Sequence, residues 1–104
     1  MLAVRIQVTK FVDDHQPGFV ECELVDAHGQ HWLFVEKVPV VSPTHLDASS
    51  LYPQPGVLAC IERSRRPGET GREIVLIDTQ QPWGVESVDH QTQFEVFADA
   101  LMET

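Results

Sequence analysis

Alternation of apolar and polar residues dominates the first third of the chain. Leu2, Val4, Ile6 and Val8 fall on one side and Arg5, Gln7 and Thr9 on the other, a period of two that belongs to a strand with one wet face. Phe11 and Val12 extend the run after a phase slip near Lys10, which predicts a β-bulge. The stretch Asp13-Asp14-His15-Gln16-Pro17-Gly18 then turns the chain. Alternation resumes from Phe19 to Val25, with Val20, Cys22 and Leu24 opposite Glu21 and Glu23, and Asp26-Ala27-His28-Gly29 makes a second turn. Trp32, Leu33, Phe34 and Val35 are apolar on both faces, which predicts a central strand. These three segments read as an antiparallel meander.

The middle of the chain loses the alternation. Val38-Pro39-Val40-Val41 reads as extended, with Pro39 suited to an edge or a strand end. Ser42 followed by Pro43 resembles a cap and a first helical position, predicting one helical turn near 43–47. Tyr52-Pro53-Gln54-Pro55-Gly56 reads as loop. A hairpin follows, with arms from Val57 to Ser64 and from Arg72 to Thr79 closed by Pro67-Gly68-Glu69-Thr70-Gly71. Ile74-Val75-Leu76-Ile77 is apolar on both faces, so the second arm is expected to be central. Gln80-Gln81-Pro82-Trp83-Gly84 is another turn.

The last segment supports two readings. Phe94-Glu95-Val96-Phe97 alternates as a strand, with Val85 to Val88 as its expected hairpin partner. Phe94, Phe97, Ala98 and Leu101 also fit helical spacing, and Thr92 with Glu95 would form a capping box, so residues 92–103 are open to either assignment. The strand is preferred, and a short C-terminal helix after Ala98 fits both. The expected fold is a single all-β domain spanning 1–104, mostly antiparallel: a small, partly open barrel of 6–7 strands. The Cys and Trp spacing of an immunoglobulin sandwich is absent.

Charge narrows the partners. Sixteen acids against seven bases give a formal net charge of −9. Such a surface repels nucleic acid and anionic lipid and suits a basic protein. No apolar stretch approaches the ~20 residues of a membrane span. The start, Met1-Leu2-Ala3-Val4-Arg5, lacks the features of a secretion signal, and two cysteines make no disulfide framework. A cytoplasmic location is expected.

Little of the sequence reads as chemistry. Gly68-Glu69-Thr70-Gly71 lacks the lysine and helix of a phosphate loop. Cys22 and Cys60 sit among apolar neighbours and read as buried hydrophobes. No catalytic residue, no cofactor and no metal are expected. Were a metal to bind, Asp26, His28 and His31 at the second turn would supply an open site, though a tight turn makes their side chains diverge. Partner-binding candidates are Arg63, Arg65 and Arg66, whose planar guanidinium groups match carboxylates, and Tyr52 and Trp83 in proline-containing loops. The two aromatics read more readily as lids over the barrel end, and Trp32 as core.

The run Asp26-Ala27-His28-Gly29-Gln30-His31-Trp32-Leu33-Phe34-Val35-Glu36-Lys37-Val38-Pro39-Val40-Val41, followed by Tyr52-Pro53-Gln54-Pro55-Gly56 and Pro82-Trp83-Gly84-Val85-Glu86-Ser87, resembles a group of small uncharacterised bacterial proteins over most of the chain. That group has no assigned activity. The resemblance implies a bacterial origin and carries over no functional residue.

The functional expectation is a non-enzymatic protein-interaction module, regulatory or immunity-like, with a homodimer compatible. The alternative is a small metal-dependent or small-molecule-binding enzyme that uses the barrel mouth.

Overall fold

A computed structural model describes residues 1–104. In chain order it contains β1 (Leu2–Asp13), β2 (Phe19–Val25), β3 (His31–Lys37), the single-turn helix α1 (Val38–Val41), β4 (Gln54–Ala59), β5 (Ile61–Pro67), β6 (Glu73–Asp78), β7 (Gln93–Phe97), a 3-10 turn (Ala98–Ala100) and β8 (Leu101–Glu103). All pairings are antiparallel. One sheet runs β3-β2-β1-β4, with β8 added beside the start of β1, and the other runs β5-β6-β7. The chain passes from the first sheet to the second at Cys60, between β4 and β5, and the two sheets do not close on each other. The result is a partly open, all-β barrel. No helix is long and apolar enough to cross a membrane.

The period-two pattern places the core. Val4, Ile6 and Val8 of β1, Val20, Cys22 and Leu24 of β2, Phe34 of β3 and Leu58 of β4 meet Val75, Ile77, Phe94 and Val96 of the second sheet. Each such side chain contributes roughly 1.5–3 kcal/mol on burial. Trp32 lies partly buried, edge-on to Phe94 with ring centroids 5.3 Å apart, and its indole N–H donates to Asp26 Oδ2 at 2.9 Å. The phase slip near Lys10 is a register shift between Val8 and Lys10, which lets both Val8 and Phe11 face inward. As expected, β6 is central in its sheet and Phe94–Phe97 is extended.

Five assignments need correction. β3 is an edge strand, not a central one; its second apolar face, Leu33 and Val35, points outward at 37% and 45% exposure. Val38–Val41 is helical rather than extended, because one turn buries Val38 and Val41 together and tolerates Pro39 in its first turn. No helix forms at 43–47; the Ser42 hydroxyl instead accepts from Thr44 N at 3.2 Å in a side-chain turn. Gln54, Pro55 and Gly56 belong to β4 rather than to a loop, Pro55 lying opposite Gln7. Val85–Val88 forms no hairpin with β7, which pairs with β6. Val85 is buried and tied to the end of β6, its N–H donating to Thr79 O and its carbonyl accepting from Thr79 Oγ1. At the C-terminus the short helix is one 3-10 turn, after which Leu101–Met102 pair with Val4 and Ala3 of β1.

Candidate functional site

The arginine-rich hairpin is charge-balanced within the chain. Arg63 donates through Nε and Nη2 to Asp78 Oδ2 at 3.1 and 3.0 Å. Arg65 grips Glu62 at 3.0 and 2.7 Å and also reaches Glu73. Arg66 holds Glu95 at 3.1 and 3.2 Å. Arg72 pairs with Asp99 and lies over the Phe97 ring, 3.5 Å from its centroid. Antiparallel pairing explains this, since β5, β6 and β7 bring acids from the neighbouring strands alongside the arginines. The hairpin therefore offers no unneutralised cationic patch.

The metal candidates are held apart. Asp26 Oδ1 accepts from the backbone N–H groups of His28 and Gln30, at 2.8 and 2.9 Å, as the cap of the turn. His28 Nε2 reaches Glu95 Oε1 at 2.8 Å, while His31 Nδ1 lies 2.8 Å from Glu23 Oε1. The structure thus brings His28 together with Arg66, on the shared carboxylate of Glu95, rather than with His31. Those bonds hold the Glu95 carboxyl below its usual range, Arg66 first and His28 second. The one close group of metal-type side chains is Asp13, Asp14 and His15, exposed where β1 ends and the turn to β2 begins.

Tyr52 behaves as a lid. It packs against the core, and its hydroxyl donates to Asp47 O at 2.8 Å. Trp83 does not; it stands out at 61% exposure. Cys22 and Cys60 are buried, and burial pushes their thiols up to about 12 and about 11. A thiolate nucleophile is not available at either.

A concavity of about 550 Å³ lies between the β1–β2 turn, α1 and the 42–47 loop, with Asp14 and Asp47 among its walls. Acidic groups without a Lys or Arg partner recur elsewhere. Six of the sixteen acids pair with Lys or Arg, which leaves ten that do not. Glu36, half-buried at the inward end of β3, is one of them. Burial pushes its carboxyl above the usual range, Lys37 partly offsets the rise, and the charge of Glu86 adds to it. Glu86 itself bonds His90 Nδ1 at 2.8 Å and raises that imidazole above its ordinary value.

No family model, curated protein or solved structure matches this chain.

Sequence reasoning missed the exposed edge of β3 and the Glu36–Glu86 neighbourhood. A strand apolar on both faces signals either a central strand or an exposed apolar edge, and the pattern alone does not separate them. Glu86 comes near β3 through a loop more than forty residues away in sequence, which leaves no local signal.

Proposed function

We propose that this chain is a non-enzymatic protein-interaction module of a bacterial cytoplasm, regulatory or immunity-like, that engages a basic protein through its acidic surface. The observation that carries this reading is the distribution of charge. Five of the seven Lys and Arg residues are neutralised by acids of the same chain, whereas ten of the sixteen acids pair with no Lys or Arg. A field of one sign steers an oppositely charged partner and sets a salt-dependent association rate. This shifts the candidate contact from Arg63, Arg65 and Arg66 to the carboxylates. Trp83, exposed in the loop that also carries Glu86, keeps its place as a contact residue.

The test is capture from native lysate on immobilised full-length chain at 50 and 500 mM salt, read by mass spectrometry. A stoichiometric basic protein retained at low salt and lost at high salt supports the reading. No stoichiometric partner, or retention independent of salt, overturns it.

A further inference from the structure

Sheet edges are where one β protein meets another, and this fold treats its edges unequally. The β5 edge carries Glu62, Arg63, Arg65 and Arg66, a register shift and a terminal Pro67, the devices that discourage strand addition. The free side of β7 is engaged by Ala27 N–H, which donates to Glu95 O at 2.8 Å. Along β4, Pro55 stands at the free edge with no N–H to offer an incoming strand. β3 carries no proline, and one loop bond, from Val88 N–H to Leu33 O, touches its free side. Its register with β2 is unbroken from His31 to Lys37.

The hydrogen bonds at its ends fix which backbone groups of β3 face outward. Asp26 N donates to Gln30 O and Val38 N to Gly18 O, so the even-numbered residues of β3 bond to β2. The N–H and C=O groups of His31, Leu33, Val35 and Lys37 therefore point to the open edge. Of these, only Leu33 O has a backbone partner beyond the strand, the Val88 N–H at 2.8 Å. Side chains at the edge are equally available. Leu33 and Val35 stand on the outer face, directly opposite Glu23 and Glu21 of β2, and Val88 beside them is 50% exposed. On the inner side Glu36 is half-buried and feels the charge of the exposed Glu86, which bonds His90 Nδ1 at 2.8 Å; no Lys or Arg pairs with either carboxylate.

We propose that the open edge of β3 receives an extended, basic segment of a partner protein by strand addition. Its backbone bonds to His31, Leu33, Val35 and Lys37. Its alternate side chains fall in two rows, an apolar row against Leu33 and Val35 and a cationic row toward Glu36 and Glu86. The incoming strand replaces the Val88 bond one for one. The half-buried Glu36 carboxylate, with the like charge of Glu86 acting on it and no Lys or Arg partner, is relieved by a cation, which favours a basic occupant over a second copy of a chain that carries −9. This inference rests on the interaction-module reading and specifies where and how that partner binds.

The probe is a labelled, end-blocked eight-residue peptide alternating valine and lysine, titrated into the full chain and followed by fluorescence anisotropy. Two controls carry N-methyl groups, on every valine in one and on every lysine in the other. Strand addition uses one edge of the peptide only, so one control loses binding at least tenfold and the other binds as the parent does. Val35→Pro removes an outward N–H without touching the β2 ladder and weakens binding at least tenfold. If that variant does not melt cooperatively, Val35→Lys, which sets a like charge at the edge, gives the same loss. Equal binding of all three peptides, unaffected by either variant, overturns strand addition while leaving recognition of a basic partner standing. No binding by any peptide at 50 mM salt overturns the inference, and the lysate capture then judges the broader reading by itself. A dimer in light scattering that Val35→Pro dissolves assigns the edge to a second copy and overturns the basic occupant.

Discussion

Arg63 places two N–H groups on a single oxygen of Asp78, the buried carboxylate at the end of β6, which is 4% exposed. Asp78 also accepts from Gln80 N at 2.8 Å through its other oxygen, and Gln93 Nε2 approaches Oδ2 at 3.4 Å. Arg63→Ala leaves that charge without its cation, and Asp78→Ala removes the acceptor for all three. Each is expected to cost about 1–3 kcal/mol in urea unfolding. Unchanged midpoints would show that the contact is ornamental to the second sheet.

Stability should fall on the acid side. Burial by itself raises the Asp78 carboxyl, but the bonds from Gln80, Arg63 and Gln93 outweigh it and hold it below the ordinary value of 3.8. Glu95 and Glu62 are also lowered, by Arg66 and Arg65 respectively. For groups lowered in the folded state the unfolded chain binds protons first, so their stabilisation is present above about pH 4 and is lost as pH falls through the folded values. Melting from pH 7 to 3 should show a decline beginning near pH 4–5. A melting temperature that stays level to pH 3 would contradict these pairings.

Glu36 has the opposite sign. Its carboxyl is raised by burial, with Glu86 adding to the rise, so the folded state binds the proton more tightly and stability is lost as pH climbs above about 4.5. Glu36→Gln should therefore raise the melting temperature slightly at pH 7.5, within the roughly 0.5 kcal/mol typical of surface changes, and should not do so at pH 4. A lower melting temperature at pH 7.5 would mean that the carboxylate is stabilised by a partner group.

Gly56 sits where β4 crosses beneath α1. A Cβ there would stand 2.8 Å from Val8 Cγ2 and 2.9 Å from the backbone oxygen of Val41. Because one obstacle is backbone, Gly56→Ala should destabilise by about 1–3 kcal/mol. The same change at Gly29, where no atom lies within 4 Å, meets only the strain of a φ of +78°. A milder effect at Gly56 than at Gly29 would contradict the packing of α1 on β4.

Both thiols should be inert in the native protein. Cys22 and Cys60 are buried, with thiols pushed to about 12 and about 11. Disulfide-exchange labelling at pH 8 should proceed only as fast as the chain opens, and both cysteines should react at once in denaturant. Rapid labelling of either in buffer would show an opening at Cys60 or behind β2.

What the sequence revealed and what it hid follow from the range of the interactions. Alternation over Leu2–Val8 and Phe19–Val25 marks β1 and β2 because one face of each meets the core and the other meets water. The Lys10 bulge was legible for the same reason. The position of β3 was not, since an apolar outer face looks alike whether another strand covers it or not. Val38–Val41 misleads because valine favours strands, yet one helical turn is what buries Val38 and Val41 together. The arginine cluster was plain in the sequence, but its neutralisation depends on Glu73, Asp78, Glu95 and Asp99, which only strand pairing brings alongside. The three-residue metal set fails on orientation, which spacing across a turn does not encode.

The central claim is that the carboxylates beside β3, not the arginine hairpin, recognise a basic partner. Its most direct measurement compares the affinity of the valine–lysine peptide for three chains at 50 mM salt: wild type, Glu36→Gln combined with Glu86→Gln, and Arg65→Ala combined with Arg66→Ala. The account predicts at least tenfold weaker binding to the double glutamine chain and affinity within about twofold of wild type for the double alanine chain. Loss of binding in the arginine variant with the glutamine variant unaffected would contradict it.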